Sequence, residues 1–148
     1  MRVLGVDIHA SDLVWVILDG TASGGRAENL DVPKQPFPQS ENDDAGNLLR
    51  LKDIVHAVIR DKKIEKVAVL RAVDKGCSVS RCKMECVVQL AAKQASVPCL
   101  LVAPQTVASK QKKFAGTAGA TMEAAFWGGK PIALKYVERA TYCAWSVM

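Results

Sequence analysis

Asp7 is the residue whose setting most demands chemistry. Val3, Leu4, Gly5 and Val6 precede it and Ile8 follows, the pattern of a strand buried on both faces. A carboxylate there needs hydrogen bonds, a cation or a metal to offset its desolvation. An Asx residue beside a tight turn can also cap its own hairpin through backbone N–H groups, so metal binding and turn capping stand side by side. His9, in the turn, is either a proton relay or an ordinary turn histidine, and His56 falls between core positions of a helix. Cys77, Cys82 and Cys86 lack the C-x-x-C knuckle of a zinc site, and Cys99 and His56 lie on other elements. The spacing predicts small buried thiols. The GTAGA stretch at 116–120 follows no strand and lacks the Lys-Ser/Thr of a phosphate-binding loop, which argues against nucleotide hydrolysis.

The elements that must position Asp7 read clearly. The first 19 residues form two apolar strands joined by a short turn. A glycine pair then breaks the pattern, and a weak edge strand is expected at 30–34. A Pro- and Asx-rich surface loop follows, ending with Asp43 or Asp44 as helix N-cap. Leu48, Leu51, Ile54, Val55, Val58 and Ile59 recur at helical steps and predict an amphipathic helix over 45–61. The next strand, 66–73, should lie parallel to the first and beside it, because a strand–helix–strand crossover joins parallel strands. Met84, Val87, Val88, Ala91 and Ala95 mark a helix over about 81–95. A strand between Pro98 and Pro104, a short helix from Gln105 and a last helix from near Pro131 to Trp145 complete the chain. Phe126 and Trp127 beside Gly128 and Gly129 either form an exposed patch that pairs subunits or cover the sheet.

With 148 residues, 49% of them hydrophobic, the sequence predicts one α/β domain over 1–148. A net charge of +5 is compatible with nucleic acid but short of a dedicated basic tail. Neither a signal-type segment nor an apolar run long enough to span a membrane is present, so a soluble, cytoplasmic protein is expected. Five cysteines within apolar patterns point to reduced thiols.

The order of elements, together with VLGVD opening an antiparallel hairpin, resembles the ribonuclease H-like fold and, within it, the Holliday-junction resolvases of the RuvC type. The motif KMECVVQLA and the first hairpin are also similar to a small, uncharacterised bacterial family of that fold. The resemblance implies a five-stranded mixed sheet, with strands 1–3 antiparallel and strands 4 and 5 parallel, flanked by helices. It implies that the strand-one acid, here Asp7, binds catalytic magnesium. A second acid closes the strand after the first helix, where VLRAVD offers Asp74, and another lies on the C-terminal helix, where VERATYCAW offers Glu138. The segment LVAPQTVASKQKKFAGTAG is similar to the family's P-x-x-V-K-x-x-x-x-G stretch, which sets Lys110, Lys112 and Lys113 near a phosphate backbone, with Lys75 as a further basic candidate.

Phosphodiester hydrolysis on this architecture uses two magnesium ions about 4 Å apart, one activating water and the other stabilising the leaving oxygen. Magnesium, or manganese in its place, takes hard oxygen ligands, so carboxylates from different elements must converge. Asp7, Asp74 and Glu138 are the candidate catalytic and metal-binding set, with Glu85 as an alternative ligand. Each has a bland counterpart: Asp74 as a turn residue, Glu138 as a partly solvated helix residue, Glu85 with Gln89 and Lys93 as a solvated stripe, and the lysines as a solvated helix end. The sequence departs from the resolvase pattern where His9, Ala10 and Ser11 replace the glycine after the first acid, and where Arg71 and Ala72 stand at the place of the second acid. Two functions therefore follow. One is a nucleic-acid-binding domain that cleaves phosphodiesters with magnesium; the other is a catalytically degenerate scaffold acting as a binding or assembly subunit, with a homodimer among its arrangements. An ion pair from Arg71 to Asp7 would favour the second.

Overall fold

The computed structural model describes residues 1–9, 12–29, 44–72, 77–115 and 121–148. Its elements are β1 (Arg2–His9), β2 (Asp12–Thr21), β3 (Gly24–Asn29), α1 (Asp44–Asp61), β4 (Lys66–Leu70), α2 (Val79–Gln94), β5 (Cys99–Val102), α3 (Pro104–Ala115), α4 (Met122–Phe126) and α5 (Lys135–Trp145). One sheet holds all five strands in the order β3-β2-β1-β4-β5. The pairs β1–β2 and β2–β3 are antiparallel, whereas β4 runs parallel to β1 and β5 parallel to β4. This is the mixed sheet expected from the sequence, with β4 beside β1.

The alternation of side chains along β1 assigns its two faces. Leu4, Val6 and Ile8 point into one core layer with Leu13, Trp15, Ile17, Val67 and Val69, covered by Val55 and Ile59 of α1 and Met84, Val88 and Ala91 of α2. Val3 lies in the opposite layer with Val16, Leu18, Ala68 and Leu70, covered by α5, α3 and α4. Asp7 shares the odd-numbered face with Val3 and Gly5, so its carboxylate belongs to the α5 side. Sequence patterning located the burial on both faces, while the facing helix was decided by how the helices cover the sheet.

Several boundaries shift. The third strand is Gly24–Asn29, paired from Val16↔Asn29 to Thr21↔Gly24, so the glycine pair lies inside the strand; the expected strand at 30–34 falls outside the described residues. Its glycines and polar residues hide it from periodicity, and pairing with β2 supplies what its side chains do not. The long loop, including Asp43 as a cap, is also outside those residues. Helix α2 begins at Val79, two residues before the expected start at 81, because Ser78 caps it, its side chain accepting from the Arg81 N–H at 3.2 Å. Helix α5 starts at Lys135 rather than near Pro131. Helix α4 has only five residues, too few to show a period, and is held by Thr121, whose Oγ1 accepts from the Ala124 N–H. Its Phe126 is 2% exposed and meets Trp145 edge to face at 6.2 Å, while Trp127 packs on the same core, so this pair covers the sheet. No helix among the described residues is long and apolar enough to cross a membrane.

Candidate functional site

Asp7 is 1% exposed, and both its oxygens face cations. Arg139 of α5 places Nε 3.3 Å from Oδ2, and Arg81 of α2 places Nη2 4.0 Å from Oδ1. The same Arg81 nitrogen donates to the Leu70 carbonyl at the end of β4, at 3.4 Å. One carboxylate therefore ties together β1, the N-terminal turn of α2 and α5. Arginine cannot be deprotonated in a protein, so two fixed positive charges flank Asp7.

Helical spacing explains why Arg139 arrives there. Arg139 and Cys143 are four apart and share a stripe of α5. Cys143 is fully buried; burial and the Asp7 charge push its thiol well above the usual range, while a hydrogen bond involving the Val6 backbone opposes that shift. Gly5 permits this approach, because a Cβ there would collide with the Ala140 carbonyl oxygen and lie 2.8 Å from the Ala144 Cβ. Glu138 occupies a different stripe. It is half-buried, and its charge acts on Tyr142, whose hydroxyl is raised first by burial and then by Glu138. The acid expected from α5 is thus displaced by its neighbour: Arg139, not Glu138, meets Asp7.

The other described candidates make contacts of their own. Glu85 is half-buried and accepts the Ala72 N–H at 2.9 Å, bracing the segment after β4 against α2, so it is not a simple solvated residue. Asp74 and Lys75 lie outside the described residues. Arg71, whose ion pair to Asp7 would have favoured the degenerate scaffold, is exposed, and Arg81 and Arg139 are the cations beside Asp7. Nothing in the composition distinguished these two arginines; the i, i+4 relation of Arg139 to Cys143 was the available signal. Among the described residues, no three His, Cys, Asp or Glu side chains group to hold a metal ion. Magnesium at Asp7 would have to displace two guanidinium groups and find further oxygen ligands. The described residues around Asp7 do not fit such an ion.

Lys110 sits with Nζ 4.2 Å from the Trp145 ring centroid, a cation–π contact that holds α3 against α5, while Lys112 and Lys113 are exposed in the last turn of α3. Replacing Lys110 with alanine is expected to lower stability by about 0.5–1 kcal/mol in chemical denaturation, whereas the same change at Lys112 leaves it within about 0.5 kcal/mol.

Cys77 is half-buried, and Cys82 and Cys86 are exposed, contrary to the buried thiols expected from their spacing. Cys82 and Cys86 lie on a face of α2 turned from the core that Met84, Val87 and Val88 occupy, and Cys77 precedes the helix. Cys99 behaves differently: burial, aided by the Glu85 charge, pushes its thiol up to about 11 from 9.0. The folded state therefore keeps the proton where the unfolded chain loses it, and this contribution is intact below pH 9 and lost as pH rises from 9 through 11. The loss is expected to be about 1–2 kcal/mol, allowing for partial solvent exposure. Denaturant unfolding of wild type and Cys99→Ala across this range checks it, since the variant should decline less steeply.

A family described as a protein of unknown function (DUF3010) matches residues 1–125. No curated protein matches. Among solved structures, Thermus thermophilus RuvC is similar at a TM-score of 0.70 and 19% identity, covering 99% of this chain and 92% of that one. The T. thermophilus RuvC complex with a Holliday junction substrate gives 0.72 and 17%, with the same coverage. The yeast mitochondrial Holliday junction resolvase gives 0.52 and 13%, covering 99% of this chain and 79% of that one. Together with the five-stranded mixed sheet, these likenesses establish a ribonuclease H-like fold.

Proposed function

We propose that this chain, which belongs to the DUF3010 family, is a ribonuclease H-like nucleic-acid-binding domain that does not cleave through a magnesium centre at Asp7. The observation that carries this reading is the pair of guanidinium groups at 3.3 and 4.0 Å from the Asp7 oxygens. A carboxylate so neutralised serves as an internal anchor. Each guanidinium has five donors, more than Asp7 takes up, and both arginines retain some solvent exposure, which suits contact with a phosphate backbone. The net charge of +5 supports an anionic partner, and so does the similarity to a RuvC structure solved with a Holliday junction. Lys112 and Lys113 extend the proposed phosphate contacts, with Lys75 and Lys110 as secondary members. The exposed Leu100 and Leu101 on edge strand β5 make a homodimer part of the same proposal.

The test is fluorescence anisotropy with labelled four-way junctions, duplex and single-stranded DNA and RNA at graded salt, followed by incubation with magnesium and with manganese. Salt-dependent binding without cleavage is the expected result. Joint replacement of Lys112 and Lys113 with alanine should weaken binding across sequences and reduce the salt slope by about 2. Metal-dependent cleavage abolished by Asp7→Asn would overturn the non-catalytic reading, and absence of binding to every nucleic acid would overturn the partner.

A further inference from the structure

The N-terminal turn of α2 carries two thiols in contact. Cys77 Sγ lies 2.7 Å from Cys82 Sγ, with Cys77 just before the Ser78 cap and Cys82 in the first turn of the helix. Backbone geometry holds them together, because the Cys82 N–H donates to the Ser78 carbonyl at 3.2 Å and the Arg81 N–H donates to Ser78 Oγ at 3.2 Å. Arg81, between the two cysteines, is the residue that reaches both Asp7 and the Leu70 carbonyl.

We propose that Cys77 and Cys82 form a thiol–disulfide exchange site whose co-reactant is a small-molecule disulfide. Cys82, the exposed member, attacks one sulfur of that disulfide as its thiolate; a Cys82 mixed disulfide forms and one thiolate leaves. Cys77 then loses its proton and attacks Cys82 Sγ, forming the internal Cys77–Cys82 bond and expelling the second thiolate. Two protein thiols are oxidised to one disulfide, and the co-reactant is reduced to two thiols that take up the two protons. The hydrogen bond between the sulfurs pushes the Cys77 thiol above its ordinary range, consistent with Cys82 reacting first. The resulting ring encloses Arg81, so oxidation fixes the turn from which Arg81 reaches Asp7. Reduction restores its freedom.

The reduced full-length protein, equilibrated with glutathione and glutathione disulfide in varied ratio, tests this. The expected result is a loss of about 2 Da in intact mass, with peptide mapping placing the bond between Cys77 and Cys82 and the other three cysteines still alkylated. Cys77→Ser should stop at a glutathione adduct on Cys82, and Cys86→Ser should leave the reaction unchanged. Stable glutathione adducts on both cysteines without an internal bond, or a Cys82–Cys86 bond in its place, would overturn the proposal.

Discussion

Arg139→Ala is expected to destabilise the protein by about 3–5 kcal/mol, because it removes the nearer cation from a carboxylate already out of water. The Asp7 oxygen 3.3 Å from Arg139 Nε loses its nearer cation, and water entering the space of a side chain that is 28% exposed restores only part of that interaction. Arg81, at 4.0 Å from the other oxygen, compensates only in part. For a domain whose total stability is of order 5–15 kcal/mol, this is a large share. Thermal unfolding followed by circular dichroism should show a fall of roughly 10 °C. The discriminating control is Asp7→Asn combined with Arg139→Ala: if the cost comes from an uncompensated buried charge, the double variant should be more stable than Arg139→Ala alone. Equal destabilisation in both would assign the loss to packing of the arginine stem.

Gly5→Ala should cost about 3 kcal/mol, near the upper end for overpacking. The added methyl would overlap the Ala140 carbonyl oxygen and approach the Ala144 nitrogen to 3.0 Å, and these are backbone atoms of α5 that no rotamer change can move. The helix must retreat from β1, and since Arg139 precedes Ala140, the retreat also pulls its guanidinium from Asp7. Denaturant unfolding measures the loss. The double variant Gly5→Ala, Ala144→Gly relieves the contact with the Ala144 Cβ but not the one with the Ala140 oxygen, so it should recover only a fraction. Full recovery would show that side-chain crowding, and not the helix backbone, sets the spacing.

Much of the fold was legible in the sequence because its determinants are local. The apolar run around Asp7 announced a central strand, the three- and four-residue recurrence from Leu48 to Ile59 announced α1, and the strand–helix–strand order required β4 to run parallel to β1. Strand β3 was less visible because its stability comes from pairing with β2 rather than from its own glycine-rich composition.

By itself the sequence indicated that Asp7 would be buried and would need hydrogen bonds, a cation or a metal. Only the tertiary structure decided what supplies it. The rotation of α5 about its axis presents the Arg139–Cys143 stripe to Asp7 and leaves Glu138 beside Tyr142, and the capped start of α2 aims Arg81 back across the end of β4. Adjacent residues on a helix point about 100° apart, so Glu138 and Arg139, neighbours in sequence and opposite to each other in charge, face different directions, and only Arg139 meets Asp7. The close approach of Ala140 and Ala144 to Gly5 fixes how α5 sits on β1, and with it that an arginine rather than the neighbouring acid reaches Asp7.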